Sequence, residues 1–367
     1  MGADVADGQQ HEESPIRPDA AQAPASHNVD ADALAAHLTK ALPGFQGPVR
    51  IQRFAGGQSN PTFRLTTPNR QYVMRAKPGP VARLLPSAHA IEREYRVQAA
   101  LASTGIPVAP VLCLCEDESV IGRAFYVMDC VEGRVLWDQS LPDMTPAMRG
   151  AIYDEMNRVI ALLHGVDFAA IGLADYGRPG NYFERQINRW TKQYRASELD
   201  PIPEMDNLID WLPGRIPDSD ETSIVHGDFR LDNLIFDAVE PRIRAVLDWE
   251  LSTLGHPLAD FSYHCMGYHI APGQFRGIAG LELERLGIPS ESAYIRRYCE
   301  RTGRDPQSLA PNWDFFIAYN LFRLAAILQG IHKRAVDGTA SSAEALDAGR
   351  RARPLAEIGW AVARRVR

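Results

Sequence analysis

Apolar and polar positions change character twice along the chain. Residues 1–28 mix Ala, Asp, Gln and Pro with few large apolar groups, and are read as a disordered tail. From Asp30, a good N-cap, a helix is predicted to about Leu42, where Pro43-Gly44 stops it. Short apolar runs then alternate with Gly, Asn and Pro, which predicts strands at Val49–Phe54, Thr62–Thr66 and Tyr72–Lys77. Over Ser87–Ala102 the residues Ile91, Tyr95 and Ala99 fall roughly on one helical face. Strands at Val111–Cys115 and Ala124–Met128 follow, so this block predicts a five-stranded antiparallel sheet with one helix, ending near Asp129–Glu132.

After Gly133 the pattern turns helical. Thr145 caps a helix reaching about His164, and Tyr182–Ala196 and Met205–Leu212 read as two more. A short β segment interrupts at Ile224–Leu247, and helices resume to the end of the chain. The expected class is α+β, with an N-lobe over 29–131, a mainly helical C-lobe over 132–367 and a ligand cleft between them. The apolar run Phe315–Ile331 carries Asn320 and Arg323 near its middle, which fits a buried helix better than a membrane span.

At 367 residues with 45% hydrophobic content the chain suits two lobes with a sizeable core. A net charge of −7 argues against a general nucleic-acid binder. Cys113, Cys115, Cys130, Cys265 and Cys299 form no paired framework and read as free thiols in a reducing compartment. The first thirty residues show no signal-peptide or transit pattern, so a cytoplasmic protein is expected.

The chemistry is concentrated in Ile224-Val-His226-Gly-Asp228-Phe-Arg-Leu-Asp232-Asn233-Leu-Ile-Phe236 and Ala245-Val-Leu-Asp248-Trp-Glu250. Leu234–Phe236 and Ile243–Leu247 read as a hairpin around the turn formers Asp237–Pro241. Antiparallel pairing puts Asn233 and Asp248 side by side at its open end, and Asp228 lies on the loop entering that end. Two carboxylates and an amide suit a hard cation such as Mg²⁺. Phosphoryl transfer needs those same pieces: metal ligands, and a carboxylate to orient a hydroxyl and accept its proton.

His-x-Asp-x-x-x-x-Asn followed by a strand pair and Asp resembles the catalytic and metal-binding segments of the aminoglycoside phosphotransferase and protein kinase-like superfamily. The resemblance implies a two-lobed kinase-like fold using ATP and Mg²⁺, with Asp228 as catalytic base and Asn233 and Asp248 as metal ligands. It also implies that His226 supports the loop and that Asp260 braces its backbone. No Ala-Pro-Glu activation segment follows Asp248, which argues against a protein kinase.

The N-lobe is expected to bind the nucleotide. Gly56, Gly57, Ser59 and Asn60 could close over the phosphates with backbone N–H groups, or form an ordinary hairpin turn. Arg75 aligns with the family's strand lysine, and Lys77 shares its strand face. Glu94 is the expected helix partner, with Glu92 as the alternative. The backbone around Met128, Asp129 and Val131 could hold adenine, although a plain core strand predicts the same residues.

Arg185, Arg189 and Lys192 recur at helical spacing among Trp190 and Tyr194, which suits an anionic substrate or else a solvated basic face. The segments Leu112–Gly122, Gly172–Tyr182 and Leu247–Asp260 are similar to the phosphotransferase domain fused to acyl-CoA dehydrogenases in family members ten and eleven. That resemblance implies a hydroxyacyl-CoA substrate in fatty-acid breakdown, with a separate acyl-CoA dehydrogenase as a partner. An aminoglycoside, choline or similar alcohol is the alternative acceptor, and a non-catalytic nucleotide-binding protein the alternative class. His256, His264 and His269 lack metal-ligand spacing and are read as structural or substrate-lining.

Overall fold

The computed structural model describes residues 29–54, 60–78, 90–338 and 345–366. The tail read in residues 1–28, the glycines 56 and 57, Ser59 and the expected helix start at Ser87 lie outside them.

The chain begins with α1 (Ala31–Ala41), whose Asp30 cap accepts from the backbone N–H groups of Asp32 and Ala33. Strands β1 (Arg50–Arg53), β2 (Thr62–Thr66) and β3 (Gln71–Ala76), helix α2 (Ile91–Leu101), and strands β4 (Val111–Cys115) and β5 (Phe125–Asp129) follow. The strands form one antiparallel sheet in the order β1-β2-β3-β5-β4. Tyr72-Val73-Met74 and Phe125–Met128 are near-continuous apolar runs, so these central strands need cover on both faces. Leu34 and Leu38 of α1 join Phe63, Leu65, Tyr72 and Met74 on one side. Ile91 of α2 joins Val73, Tyr126 and Met128 on the other. The sheet therefore carries two helices, where one was expected.

Strand β6 (Arg134–Val135) leads into α3 (Pro146–His164), α4 (Tyr182–Ser197) and α5 (Pro203–Trp211). Next come β7 (Ser223–Val225), β8 (Leu234–Phe236), β9 (Ile243–Val246), β10 (Thr253–Gly255) and α6 (Pro257–Cys265). The remaining helices are α7 (Leu283–Leu286), α8 (Glu291–Thr302), α9 (Pro306–Leu309), α10 (Trp313–Val336), α11 (Ala345–Arg350) and α12 (Ala352–Ala363). Two small sheets, β10-β7 and β6-β8-β9, sit among these helices. Gly133 lets β6 approach β8, since a Cβ there would lie 2.1 Å from the Phe236 carbonyl oxygen.

Helix α10 packs against α4, α6 and α12. The stretch Pro306–Val336 is long and apolar enough to cross a membrane, but 83% of its apolar window is buried in the C-lobe core. Its polar residues are used internally. Asn320 donates to the Ala259 carbonyl at 2.9 Å and to the Ser262 hydroxyl at 2.8 Å, and Arg323 donates to the Gly227 carbonyl at 2.7 Å. A core helix thus holds α6 and the loop after β7 in one arrangement.

Candidate active site

The loop from His226 to Asn233 is fixed from below by Asp260. Its carboxylate accepts from the backbone N–H of His226 at 2.7 Å and of Gly227 at 2.8 Å, with His164 at 3.3 Å as a third neighbour. Full burial alone would raise the Asp260 carboxyl, but the hydrogen bond and charge of His164 and the contacts with His226 outweigh it and hold it below its ordinary value. His226 places its Nε2 2.8 Å from the Leu247 carbonyl, tying the loop to the residue before Asp248. The β8–β9 hairpin pairs Leu234 with Val246, and the Leu247 N–H donates to the Asn233 carbonyl at 2.8 Å. Asn233 and Asp248 therefore meet at the open end of the hairpin.

Asp228 stands among donors. Tyr263 donates to Oδ1 at 2.6 Å, while Arg230 Nε and Asn233 Nδ2 each approach Oδ2 at 2.9 Å. Asn233 Nδ2 also donates to the Asp228 carbonyl at 2.9 Å, which commits its nitrogen and leaves the amide oxygen for another partner. Asp248 adopts the left-handed conformation, φ 63° and ψ 61°, uncommon outside glycine although Asp tolerates it. Its Oδ1 accepts from Arg75 Nη2 at 2.7 Å. One amide oxygen and one carboxylate fit Mg²⁺, which takes few protein ligands and completes its shell with water and substrate phosphate.

Arg75, on β3, crosses from the N-lobe to this end. It also lies 3.0 Å from Glu94 Oε2 and 3.2 Å from Glu250 Oε2. Burial opposes its charge, yet Glu94 and Asp248 outweigh burial and raise its pKa above the ordinary arginine value. Glu94 is held in turn by Asn60 Nδ2 at 2.8 Å and the Tyr126 hydroxyl at 3.2 Å. Lys77 pairs instead with Glu92, so both candidate cation–glutamate pairs exist and Arg75 is the one that reaches Asp248. On the lobe connection Met128 is buried, Val131 is half-buried, and the carboxylate of Asp129 pairs with Arg70. The Asp129 N–H donates to the Pro110 carbonyl at 2.9 Å and is spent on the fold.

The basic face of α4 is divided. Arg185 donates to the carbonyls of Gly180 and Arg178, which commits it to the turn preceding the helix. Arg189 is exposed and lies over the Trp190 ring at 5.1 Å, and Lys192 is exposed. Closer to Asp228, a cavity of about 20 Å³ is lined by Gln139, Arg230, Tyr263, Phe275 and Arg276. Arg276 of this cavity pairs with Asp232 at 2.7 Å.

The three histidines have their own partners: Ser219 for His256 at 3.2 Å, Tyr294 for His264 at 2.7 Å and Glu291 for His269 at 2.8 Å. Among the described residues no three His, Cys, Asp or Glu side chains gather as a metal cluster. Tyr263, Arg323 and Glu250 were given no site role in the sequence reading. Glu250 stood two positions from Asp248, but Tyr263 and Arg323 reach the loop only through tertiary packing.

A small twisted sheet above a helical lobe, with an Asp-and-Asn loop and a hairpin Asp at their junction, defines a kinase-like phosphotransferase. The phosphotransferase enzyme family (APH) matches residues 50–310, and the chain belongs to that family. Acyl-CoA dehydrogenase family member 10 of Mus musculus is 48% identical over 334 residues, which cover 90% of this chain and 31% of that protein. The chain thus spans about a third of that relative's length. A crystal structure from Ralstonia eutropha JMP134, provisionally assigned as an aminoglycoside phosphotransferase, is 62% identical with a TM-score of 0.83, covering 92% of this chain and 99% of that one. A thermostable mutant of the aminoglycoside phosphotransferase APH(4)-Ia in ternary complex with AMP-PNP and hygromycin B shares the fold at a TM-score of 0.59 and 17% identity, over 91% of this chain and 98% of its own.

Proposed function

We propose that the protein transfers the γ-phosphoryl group of ATP, with Mg²⁺, to the hydroxyl of a hydroxyacyl-CoA in fatty-acid catabolism. The observation that carries this reading is the meeting of Asp228, Asn233 and Asp248 at one hairpin end, with Arg75 reaching across the cleft to Asp248. Asp228 orients the acceptor hydroxyl and takes its proton. Asn233 and Asp248 are the metal ligands, and Mg²⁺ when bound neutralises charge on the phosphates. Arg75, kept charged by its carboxylate partners, offers phosphate oxygens a planar two-pronged donor.

The acceptor class is supported by the acyl-CoA dehydrogenase name and 48% identity of the mouse relative, and by the exposed Arg189 and Lys192 for an anionic ligand. An acyl-CoA dehydrogenase is the proposed partner activity. The second reading is an aminoglycoside- or choline-type alcohol kinase, and the assignment of the 62% identical Ralstonia structure favours its aminoglycoside form. Turnover of ATP with hydroxyacyl-CoAs, aminoglycosides and choline, with and without Mg²⁺, separates the readings. Phosphorylation of a hydroxyacyl-CoA alone is expected, and Asp228→Asn should lower kcat at least about 100-fold. An Asp228→Asn enzyme with full activity contradicts the assignment of the base.

A further inference from the structure

Asp228 has an uneven set of partners, and the unevenness identifies which of its oxygens is free to react. A carboxylate oxygen has room for two hydrogen bonds. Both places on Oδ2 are taken, by Arg230 Nε and Asn233 Nδ2 at 2.9 Å each. Among the described residues Oδ1 receives only the Tyr263 hydroxyl, at 2.6 Å. The side chain of Asp228 keeps 16% of its surface exposed, so a ligand can reach it.

The Tyr263 hydroxyl is itself held in place. The tyrosine is buried on α6, and the Arg323 guanidinium lies over its ring at 5.0 Å. The same Arg323 donates to the Gly227 carbonyl at 2.7 Å and faces the Trp190 ring of α4 at 5.8 Å. One cation on the core helix α10 therefore sets the ring, the loop that carries Asp228 and the α4 wall together. Burial, followed by the charge of Asp228, raises the Tyr263 phenol above its ordinary value, so it stays a donor through the physiological range. Tyr263 also lines the small cavity shared with Gln139, Phe275 and Arg276.

We propose that Tyr263 is a positioning residue for phosphoryl transfer, fixing the Asp228 carboxylate so that the remaining lone pair of Oδ1 takes the acceptor hydroxyl. This rests on the reading of Asp228 as base. In the transfer step the acceptor O–H proton passes to Asp228 Oδ1, the acceptor oxygen forms the new P–O bond, and the bond from the γ-phosphorus to the bridging oxygen of ADP breaks. Tyr263 keeps its proton throughout. Its contribution is orientation, so its loss should lower kcat and leave binding in place.

The test measures kcat and KM of wild type, Tyr263→Phe and Asp228→Asn for ATP with 4-hydroxydecanoyl-CoA, and for ATP hydrolysis to water without it. Correct folding is judged by the melting shift that Mg·ADP induces in each. The proposal expects Asp228→Asn to be inactive and Tyr263→Phe to lose tenfold or more in kcat, with both KM values within twofold of wild type. A Tyr263→Phe kcat within twofold of wild type, beside an inactive Asp228→Asn, overturns the role of Tyr263 while the base assignment stands. An active Asp228→Asn, or a wild type that neither transfers nor hydrolyses, overturns the base assignment and this inference with it. Should Tyr263→Phe fail to fold, a crystal structure of the wild type with Mg·ADP decides instead: a Tyr263 hydroxyl still bonded to Asp228 Oδ1 supports the role, and one turned away from it contradicts the role.

Discussion

His264 is sealed inside the C-lobe, with its Nε2 2.7 Å from the Tyr294 hydroxyl and its ring against Phe229. Burial pushes its pKa down to about 4, and burial does the same to His256. The neutral ring is therefore favoured in the fold, whereas the unfolded chain binds a proton near pH 6.5. Stability is whole above pH 6.5 and falls as the pH drops toward about 4, by about 1.4 kcal/mol per pH unit for each ring. Urea unfolding at pH 7 and pH 5 should show that His264→Gln loses about 2 kcal/mol less than wild type between those values. Equal losses would mean that His264 is protonated in the folded protein. The sequence marked His264 as structural or substrate-lining, and its spacing argued against metal; its tyrosine partner lies thirty residues away and no local pattern names it.

Among elements, the loop between β7 and β8 depends on a single backbone choice. Gly227 has φ +82°, its N–H bonds to Asp260, and a Cβ there would stand 2.9 Å from the Leu251 carbonyl oxygen. Gly227→Ala meets both the left-handed penalty and that contact, so it should cost about 2 kcal/mol in denaturant unfolding and lower kcat through displacement of Asp228. Unchanged stability would show that the loop relaxes freely. The hairpin that carries Asn233 and Asp248 was legible, because turn formers sit between two apolar runs. The β segment read from Ile224 takes in most of β7, whereas β6 and β10 were not legible, since they are two and three residues long and no turn formers between apolar runs mark them as a hairpin. The second helix on the N-lobe sheet was visible as a helix but not as its cover. What α1 packs against is decided by the burial of both faces of β3 and β5, a property of the assembled sheet.

At the scale of the molecule, ion pairs join the lobes: Arg96 of α2 meets Asp175, and Arg75 spans the cleft beside the site. Arg75 belongs to the N-lobe sheet and its partners Asp248 and Glu250 to the C-lobe, at 2.7 and 3.2 Å. The Arg75 network sets one guanidinium against the carboxylates of Glu94, Asp248 and Glu250, and it occupies one oxygen of the carboxylate proposed to bind the metal. The same long reach explains what sequence alone could resolve. The motif pointed to the chemistry and the choice between Arg75 and Lys77 stayed open, because only the packing of the two lobes brings one of them to Asp248. The central claim is that Asn233 and Asp248 form one cation site beside Asp228. A crystal structure with Mn²⁺ and AMP-PNP tests it directly through the anomalous signal of manganese. The account predicts a manganese peak bonded to Asn233 Oδ1 and an Asp248 oxygen, with the nucleotide phosphates on the Arg75 side. Manganese and nucleotide bound with neither side chain as ligand would contradict it.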